Sequence, residues 1–171
     1  QLKQLRPDIQ IRDLRGNINT RLAKCANGDF DAIILACAGL ERLGLQERIR
    51  AELKPDAWWP AVAQGAIAVE SLAAKPEITA LFAALNDKPT ELRVRAERAM
   101  NKALHGSCQV PVAAYAEIHG DEMRLTGWVG DATNIRSISA NAEGPAREPE
   151  TLGHNVADML FAQGAAELLN I

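Results

Sequence analysis

Val110-Pro111-Val112-Ala113-Ala114-Tyr115-Ala116-Glu117-Ile118-His119-Gly120-Asp121-Glu122-Met123-Arg124-Leu125-Thr126-Gly127-Trp128-Val129 is the stretch on which the fold turns. Residues 110–118 and 122–129 carry strand patterns, and His119-Gly120-Asp121 between them is a hairpin signal. A third strand pattern covers residues 134–142. Upstream, residues 90–104 repeat at helical period. Leu92, Ala96, Ala99, Met100 and Ala103 fall on one face, and Arg93, Arg95, Glu97, Arg98 and Lys102 on the other. Thr90-Glu91-Leu92-Arg93, with Pro89 before it, has the form of a capping box. Downstream, residues 148–169 read as one closing helix with Leu152, Val156, Met159, Leu160 and Ala165 as its apolar stripe. The expectation is a small α+β domain, three antiparallel strands with helices on one face.

The first half reads differently. Asp8-Ile9-Gln10-Ile11-Arg12-Asp13-Leu14 alternates at period two, as a strand does. Gly16-Asn17 is a turn signal, and Asn19 or Thr20 is placed to cap a helix that ends at Asn27-Gly28. Asp31-Ala32-Ile33-Ile34-Leu35-Ala36 is a short apolar run of the kind buried on both faces of a sheet. A further helix is expected over residues 43–53. Strand, helix, strand, helix predicts an α/β unit with parallel strands. Residues 66–70 read as a buried strand, 76–85 as a short helix and 86–89 as a linker, with a domain boundary near residue 87.

Composition bounds the rest. The chain has 171 residues, 47% hydrophobic and 24% charged, with a formal net charge of −3. That is ordinary globular composition and gives no footprint for nucleic acid. No apolar run reaches the roughly 18 residues of a membrane span. Cys25, Cys37 and Cys108 are odd in number and widely spaced. They form neither a disulfide framework nor a zinc pattern, which points to a cytoplasmic, reducing setting. Gln1-Leu2-Lys3-Gln4-Leu5 reads as helix from its first residue without an N-cap, as in a chain cut from something longer.

Three features could carry chemistry. Cys108, in Gly106-Ser107-Cys108-Gln109-Val110-Pro111, sits on a glycine-flanked connection between helix and strand. Such a thiol is either a reachable, modifiable group or a small turn residue. Arg15, Arg21 and Arg42 follow or flank glycine turns at the carboxyl ends of the expected strands, where open α/β sheets bind ligands. Guanidinium forks there suit carboxylates or phosphates; the alternative is solvated arginines paired with Asp13, Glu41 or Glu47. Gln64, among small residues in Pro60-Ala61-Val62-Ala63-Gln64-Gly65-Ala66, marks either a close backbone approach to a ligand or a plain loop. No protease-type motif surrounds Cys108; His105 is close to it in sequence, but His119 and His154 fall in a hairpin turn and on the closing helix, and a Cys-His nucleophile is not expected. Cys25 and Cys37 read as structural.

Together and in order, Leu14-Arg15-Gly16-Asn17-Ile18-Asn19-Thr20-Arg21-Leu22, Asp29-Phe30-Asp31-Ala32-Ile33-Ile34-Leu35-Ala36, Ala38-Gly39-Leu40-Glu41-Arg42-Leu43-Gly44, Pro60-Ala61-Val62-Ala63-Gln64-Gly65, Glu97-Arg98-Ala99-Met100 and Gly106-Ser107-Cys108-Gln109-Val110-Pro111 resemble the porphobilinogen deaminases, or hydroxymethylbilane synthases. The resemblance runs the length of the chain. It implies a transferase of porphyrin, tetrapyrrole and haem biosynthesis that joins four porphobilinogen molecules with loss of ammonia. It implies a dipyrromethane cofactor on a thioether at Cys108. Arg15, Arg21 and Arg42 would contact acetate and propionate groups, and Gly16, Asn17, Ala36 and Gln64 would lie at cofactor- or substrate-contacting positions. Arginine suits such planar carboxylates better than lysine.

Residues 1–59 then correspond to the latter part of a second, binding-protein-like lobe, 60–86 to a crossover into a first lobe with its linker, and 87–171 to a third domain carrying the cysteine. The family's catalytic Asp belongs to an N-terminal stretch with no counterpart here. No catalytic residue is assigned in this chain; Asp13, Asp29 and Asp31 read as structural, and no metal site is expected. The partners implied are porphobilinogen and the growing pyrrole chain, without nucleic acid or membrane, in a parent that is monomeric. This chain alone is expected to be inactive, with Cys108 a free thiol and the 60–85 segment exposing apolar surface. The rival reading from another class is a non-enzymatic carboxylate-binding module of binding-protein-like fold, which would not need Cys108. A further rival is a plain structural domain in residues 87–171, which would leave the arginines unexplained.

Overall fold

The alternation in residues 110–129 does form a hairpin. In the computed structural model, which describes residues 1–55, 57–107, 110–131 and 135–171, β1 (Val112–His119) pairs antiparallel with β2 (Glu122–Gly130). β2 pairs antiparallel with β3 (Ser137–Pro145), in the order β1-β2-β3. His119 faces Glu122 across a two-residue loop. Gly120 has φ 64°, the left-handed conformation such loops ask of their first central residue. β3 ends later than the expected residue 142. Its ladder continues through Met123 opposite Gly144 to Glu122 opposite Pro145, so the partner strand sets its end.

The chain divides into two units, 1–54 and 55–171. In the second, Met123, Leu125 and Val129 alternate inward from β2 and are fully buried. α5 (Lys88–Ala103) and α6 (Pro149–Ala162) cover that face, contributing Ala96, Met100, Leu152, Val156 and Leu160 to the core. Two glycines make the fit possible. A Cβ on Gly127 would collide with the side chains of Met100, Val156 and Leu160, and one on Gly153 would lie 2.7 Å from the Ala99 Cβ and 2.9 Å from the Met100 nitrogen.

Local details depart from expectation. α5 starts before the supposed capping box, because Asp87 is the N-cap and its carboxylate accepts from the Thr90 N–H at 2.9 Å. Pro89 sits in the first turn, where its missing N–H costs no bond, so residues 88 and 89 belong to the helix. The closing helix is two helices. Gly164, at φ 96°, separates α6 from α7 (Ala165–Leu169). Met159 does not join the buried stripe and is 42% exposed. Glu97 is not on a solvated face but is 7% exposed.

Residues 66–70 make no ladder. Ile67 and Val69 stand in solvent, as do Leu72, Leu81 and Leu85 around α4 (Pro76–Phe82) and the 3₁₀ turn Ala83–Leu85 after it. The expected exposure of the 60–85 segment is therefore met in its later part. Its first residues are anchored instead: Val62 packs against the core, and the Ala114 N–H donates to the Pro60 carbonyl at 3.2 Å.

In the first unit, α1 (Leu2–Leu5) stops before Pro7. α2 (Ile18–Ala26) is capped by Asn17 rather than Asn19 or Thr20. The expected helix over 43–53 is replaced by α3 (Cys37–Arg42), which ends at Gly44 with φ 68°, and by a 3₁₀ turn, Gln46–Arg48. Residues 8–14 and 31–36 are not strands among the described residues, and Ile11 and Ile34 are more than half exposed. An extended segment becomes a strand only when a neighbour takes its N–H and C=O groups. The Arg12 guanidinium lies 5.2 Å from the Phe30 ring centre and donates to the Asp29 carbonyl. Among the described residues the chain is thus mixed α/β with one antiparallel sheet, and the parallel arrangement read from residues 8–36 is absent.

Candidate functional site

The turn that leads into α2 is built by its own polar atoms. Gly16 takes φ +122°, and a Cβ there would touch the Thr20 side chain at 2.9 Å. Asn17 Oδ1 accepts from both the N–H and the hydroxyl of Thr20, each at 2.9 Å. Two cations then clip the turn to the helix: Arg21 Nε donates to the Gly16 carbonyl at 2.7 Å, and Lys24 Nζ to the Arg15 carbonyl at 3.2 Å. These bonds orient the turn and leave Arg21 further N–H donors.

Gly16, Asn17, Ile18, Asn19, Arg21 and Leu43 line one open concavity. Gly39 of α3 comes near the start of α2, where a Cβ added to it would lie 3.0 Å from Ile18 Cδ1. Three expected site residues, Gly16, Asn17 and Arg21, are therefore brought together. Arg15 lies beside them with its side chain 89% exposed, only loosely near Asp13 at 3.9 Å. Arg42 precedes Leu43 at the end of α3 and is exposed; Ala36 is the N-cap of α3. An exposed guanidinium beside a helix start with fixed N–H groups is an arrangement that takes a carboxylate.

Gln64 is in the second unit, at an exposed turn. With Pro60, Ala63, Arg93, Glu97 and Tyr115 it lines a cavity of about 230 Å³. Glu97 is the residue that sequence reasoning missed. Its carboxylate accepts from the Ala63 N–H at 2.7 Å and the Ala116 N–H at 3.0 Å. Burial pushes its carboxyl above the usual range, against the opposing pull of those two N–H groups and of Arg93. The available signal was the alanine run in β1, which lets α5 approach closely enough to bury a residue at the border of its apolar stripe. Cys108 lies outside the described residues, as does Gln109. Cys25 and Cys37 are half-buried free thiols. Among the described residues no group of three His, Cys, Asp or Glu gathers as a metal site, and no helix is long and apolar enough to cross a membrane.

Residues 1–80, which include the arginine turn, match the family model described as "Porphobilinogen deaminase, dipyromethane cofactor binding domain". Residues 91–162 match "Porphobilinogen deaminase, C-terminal domain". The chain belongs to the porphobilinogen deaminase family. A porphobilinogen deaminase of Stenotrophomonas maltophilia (strain R551-3) is 59% identical over 171 residues, all of this chain and 56% of that protein. One of Xanthomonas axonopodis pv. citri (strain 306) is 55% identical over 169 residues, covering 99% of this chain and 56% of the relative. The chain spans about half the length of the curated relatives it matches. The stretch that matches the cofactor binding domain model, residues 1–80, includes Arg15, Gly16, Asn17, Arg21, Ala36, Arg42 and Gln64.

Proposed function

We propose that this chain is part of a hydroxymethylbilane synthase, in which its arginine turn and Gln64 hold the carboxylates of a dipyrromethane primer and of the pyrroles added to it. The observation that carries the reading is the Gly16-Asn17 turn. There a left-handed glycine, a capped helix start and Arg21 share one concavity, with the Arg15 guanidinium exposed beside it.

The donor set fits the group. Each pyrrole of such a primer carries two carboxylates, and planar, permanently charged guanidinium forks match them bidentately. Gly16 leaves the backbone open where a side chain would strain the turn. When bound, the primer supplies the free pyrrole end onto which porphobilinogen units are joined with loss of ammonia. Cys108 is its thioether anchor in this proposal. The work of Arg15, Arg21 and Arg42 is to bind and orient carboxylates as the chain grows, and that of Asn17 is to keep the turn in register.

In the same proposal, residues 8–14 and 31–36, unpaired in this chain, become strands of a parallel, binding-protein-like lobe only when parts of the longer relatives supply their neighbours. Residues 1–59 belong to the second lobe, 60–86 to the crossover and linker, and 87–171 to the cysteine-bearing domain. The parent is a cytoplasmic monomer acting on porphobilinogen, and the 171-residue chain alone does not turn it over. Incubation of the chain with porphobilinogen tests this: no hydroxymethylbilane is expected, and its formation would refute the claim of inactivity. Intact mass tests whether Cys108 is a free thiol in the 171-residue chain, and a dipyrromethane adduct would overturn that. The expected mass is that of the unmodified chain. In the full-length relative carrying the equivalent of Cys108→Ser, the primer adduct and activity are both expected to vanish; unchanged activity would favour a carboxylate-binding module with no use for the thiol.

A further inference from the structure

We propose that Glu97 is a positioning residue for Gln64, its two carboxylate oxygens clasping the Pro60–Ala66 turn to the open edge of β1. The pairing of His119 with Glu122 across the hairpin sets which β1 groups face β2. Alternation then turns Ala114 and Ala116 to the unpaired side. An open strand edge is a row of unsatisfied donors and acceptors, which proteins cover or blunt. Here the cover is unusual. The Ala114 N–H meets the Pro60 carbonyl, as a neighbouring strand would provide. Two residues on, the Ala116 N–H meets Glu97 Oε1 at 3.0 Å, and the other oxygen of the same carboxylate takes the Ala63 N–H at 2.7 Å. A buried side chain from α5 thus replaces a strand carbonyl and joins the turn to the sheet.

The consequence falls on Gln64. Ala63 stands at φ 59°, a left-handed conformation that a residue with a Cβ seldom adopts unless its surroundings hold it. The hold is the bond from its own N–H to Glu97. From that geometry follow the Gln64 N–H to Ala61 carbonyl bond at 2.9 Å and the Ala66 N–H to Ala63 carbonyl bond at 3.1 Å. Together they fix the backbone at Gln64, which lines the cavity with Arg93 and Tyr115. Two donors need two acceptors, which a carboxylate has and a carboxamide lacks. That Gln64 meets a pyrrole ligand rests on the function proposed above; the clasp does not.

Amide hydrogen exchange on the 171-residue chain without ligand tests the clasp separately from that reading. Glu97→Gln is expected to speed exchange at Ala63, Gln64 and Ala66 at least tenfold while Tyr115 and Glu117, which face β2, keep their wild-type rates. Adding Ala63→Gly to Glu97→Gln is expected to slow Gln64 and Ala66 again, because glycine takes positive φ without strain. A bystander role for Glu97 gives no such rescue. If Glu97→Gln does not fold, Glu97→Met keeps the length of the side chain, removes both acceptor oxygens and leaves no buried amide. It is expected to free Gln64 and Ala66 in the same way. Wild-type protection of the turn in Glu97→Gln or Glu97→Met, or absence of rescue by Ala63→Gly, would overturn the proposal.

Discussion

Gly153→Ala sets two known effects against each other, and the structure decides between them. In a helix interior, alanine is better than glycine by about 1 kcal/mol. Against this, the new Cβ would lie 2.7 Å from the Ala99 Cβ and 2.9 Å from the Met100 nitrogen, and closer still to the Ala96 carbonyl oxygen. Two of those three neighbours are backbone atoms of α5, so no rotamer change relieves the contact. The helices must separate by something near 1 Å, and overpacking of this kind costs ~3 kcal/mol at the upper end of its usual range. Separation also loosens Met100, Leu152 and Val156, which are buried between the helices and the sheet, because a gap of this size forfeits a quarter to a half of each dispersion contact. The net expectation is a loss of ~2 kcal/mol after the propensity gain. With a urea m-value of about 2 kcal/mol/M, the midpoint falls by roughly 1 M. Urea unfolding followed by tryptophan fluorescence measures it. Gly144→Ala is the control: its Cβ would meet only Leu152 Cδ1, at 3.7 Å, so that variant should be neutral or gain up to ~1 kcal/mol. A midpoint for Gly153→Ala at or above wild type would refute the reasoning that close approach of α5 and α6 requires glycine there.

Two further outcomes are expected. Asn17→Ala removes the cap that accepts from Thr20. It should cost about 1 kcal/mol of local stability, read as roughly fivefold faster amide exchange in α2; unchanged exchange would count against the cap. Glu91, held at about 2 by Asn86, Lys88 and Arg95, contributes stability that is present above the ordinary carboxylate value and lost as pH falls toward 2. Glu97 has the opposite sign: burial raises it, so its contribution is present below the ordinary value and lost as pH rises through the raised one. Glu91→Gln should therefore flatten the acid limb of a stability-against-pH curve, and Glu97→Gln the limb above it. An acid limb unaltered by Glu91→Gln would show that the Asn86–Lys88–Arg95 group is not coupled to folding.

The hairpin was legible because its signals are local. Alternating residues 112–118 and 122–129 and the glycine at 120 specify pairing with no help from distant chain. The helix over 88–103 was legible in its apolar face, but its start was misplaced because Asp87 and Thr90, three residues apart, are both able to cap it, and only the observed bond chooses Asp87. Residues 8–14 and 31–36 have the composition of strands. Composition makes a segment able to pair; it does not supply the neighbour, and neither is in a ladder among the described residues. Within the candidate site, Gly16, Asn17 and Arg21 were readable as a turn into a helix. Glu97 was not, since an acidic residue among four basic ones, Arg93, Arg95, Arg98 and Lys102, reads as solvated.

By itself, then, the sequence determined the motifs, their order and through them the family, together with the meander and the amphipathic faces of α5 and α6. These depend on contacts between residues close in the chain or on periodicity within one element. Tertiary structure alone decided that Glu97 is buried and that its carboxylate stands in for a strand at the edge of β1. It decided also that Gly153 marks the closest approach of two helices. Residues 34 and 19 positions from Glu97 supply the N–H groups that hold it, and no local pattern encodes a partner at that distance.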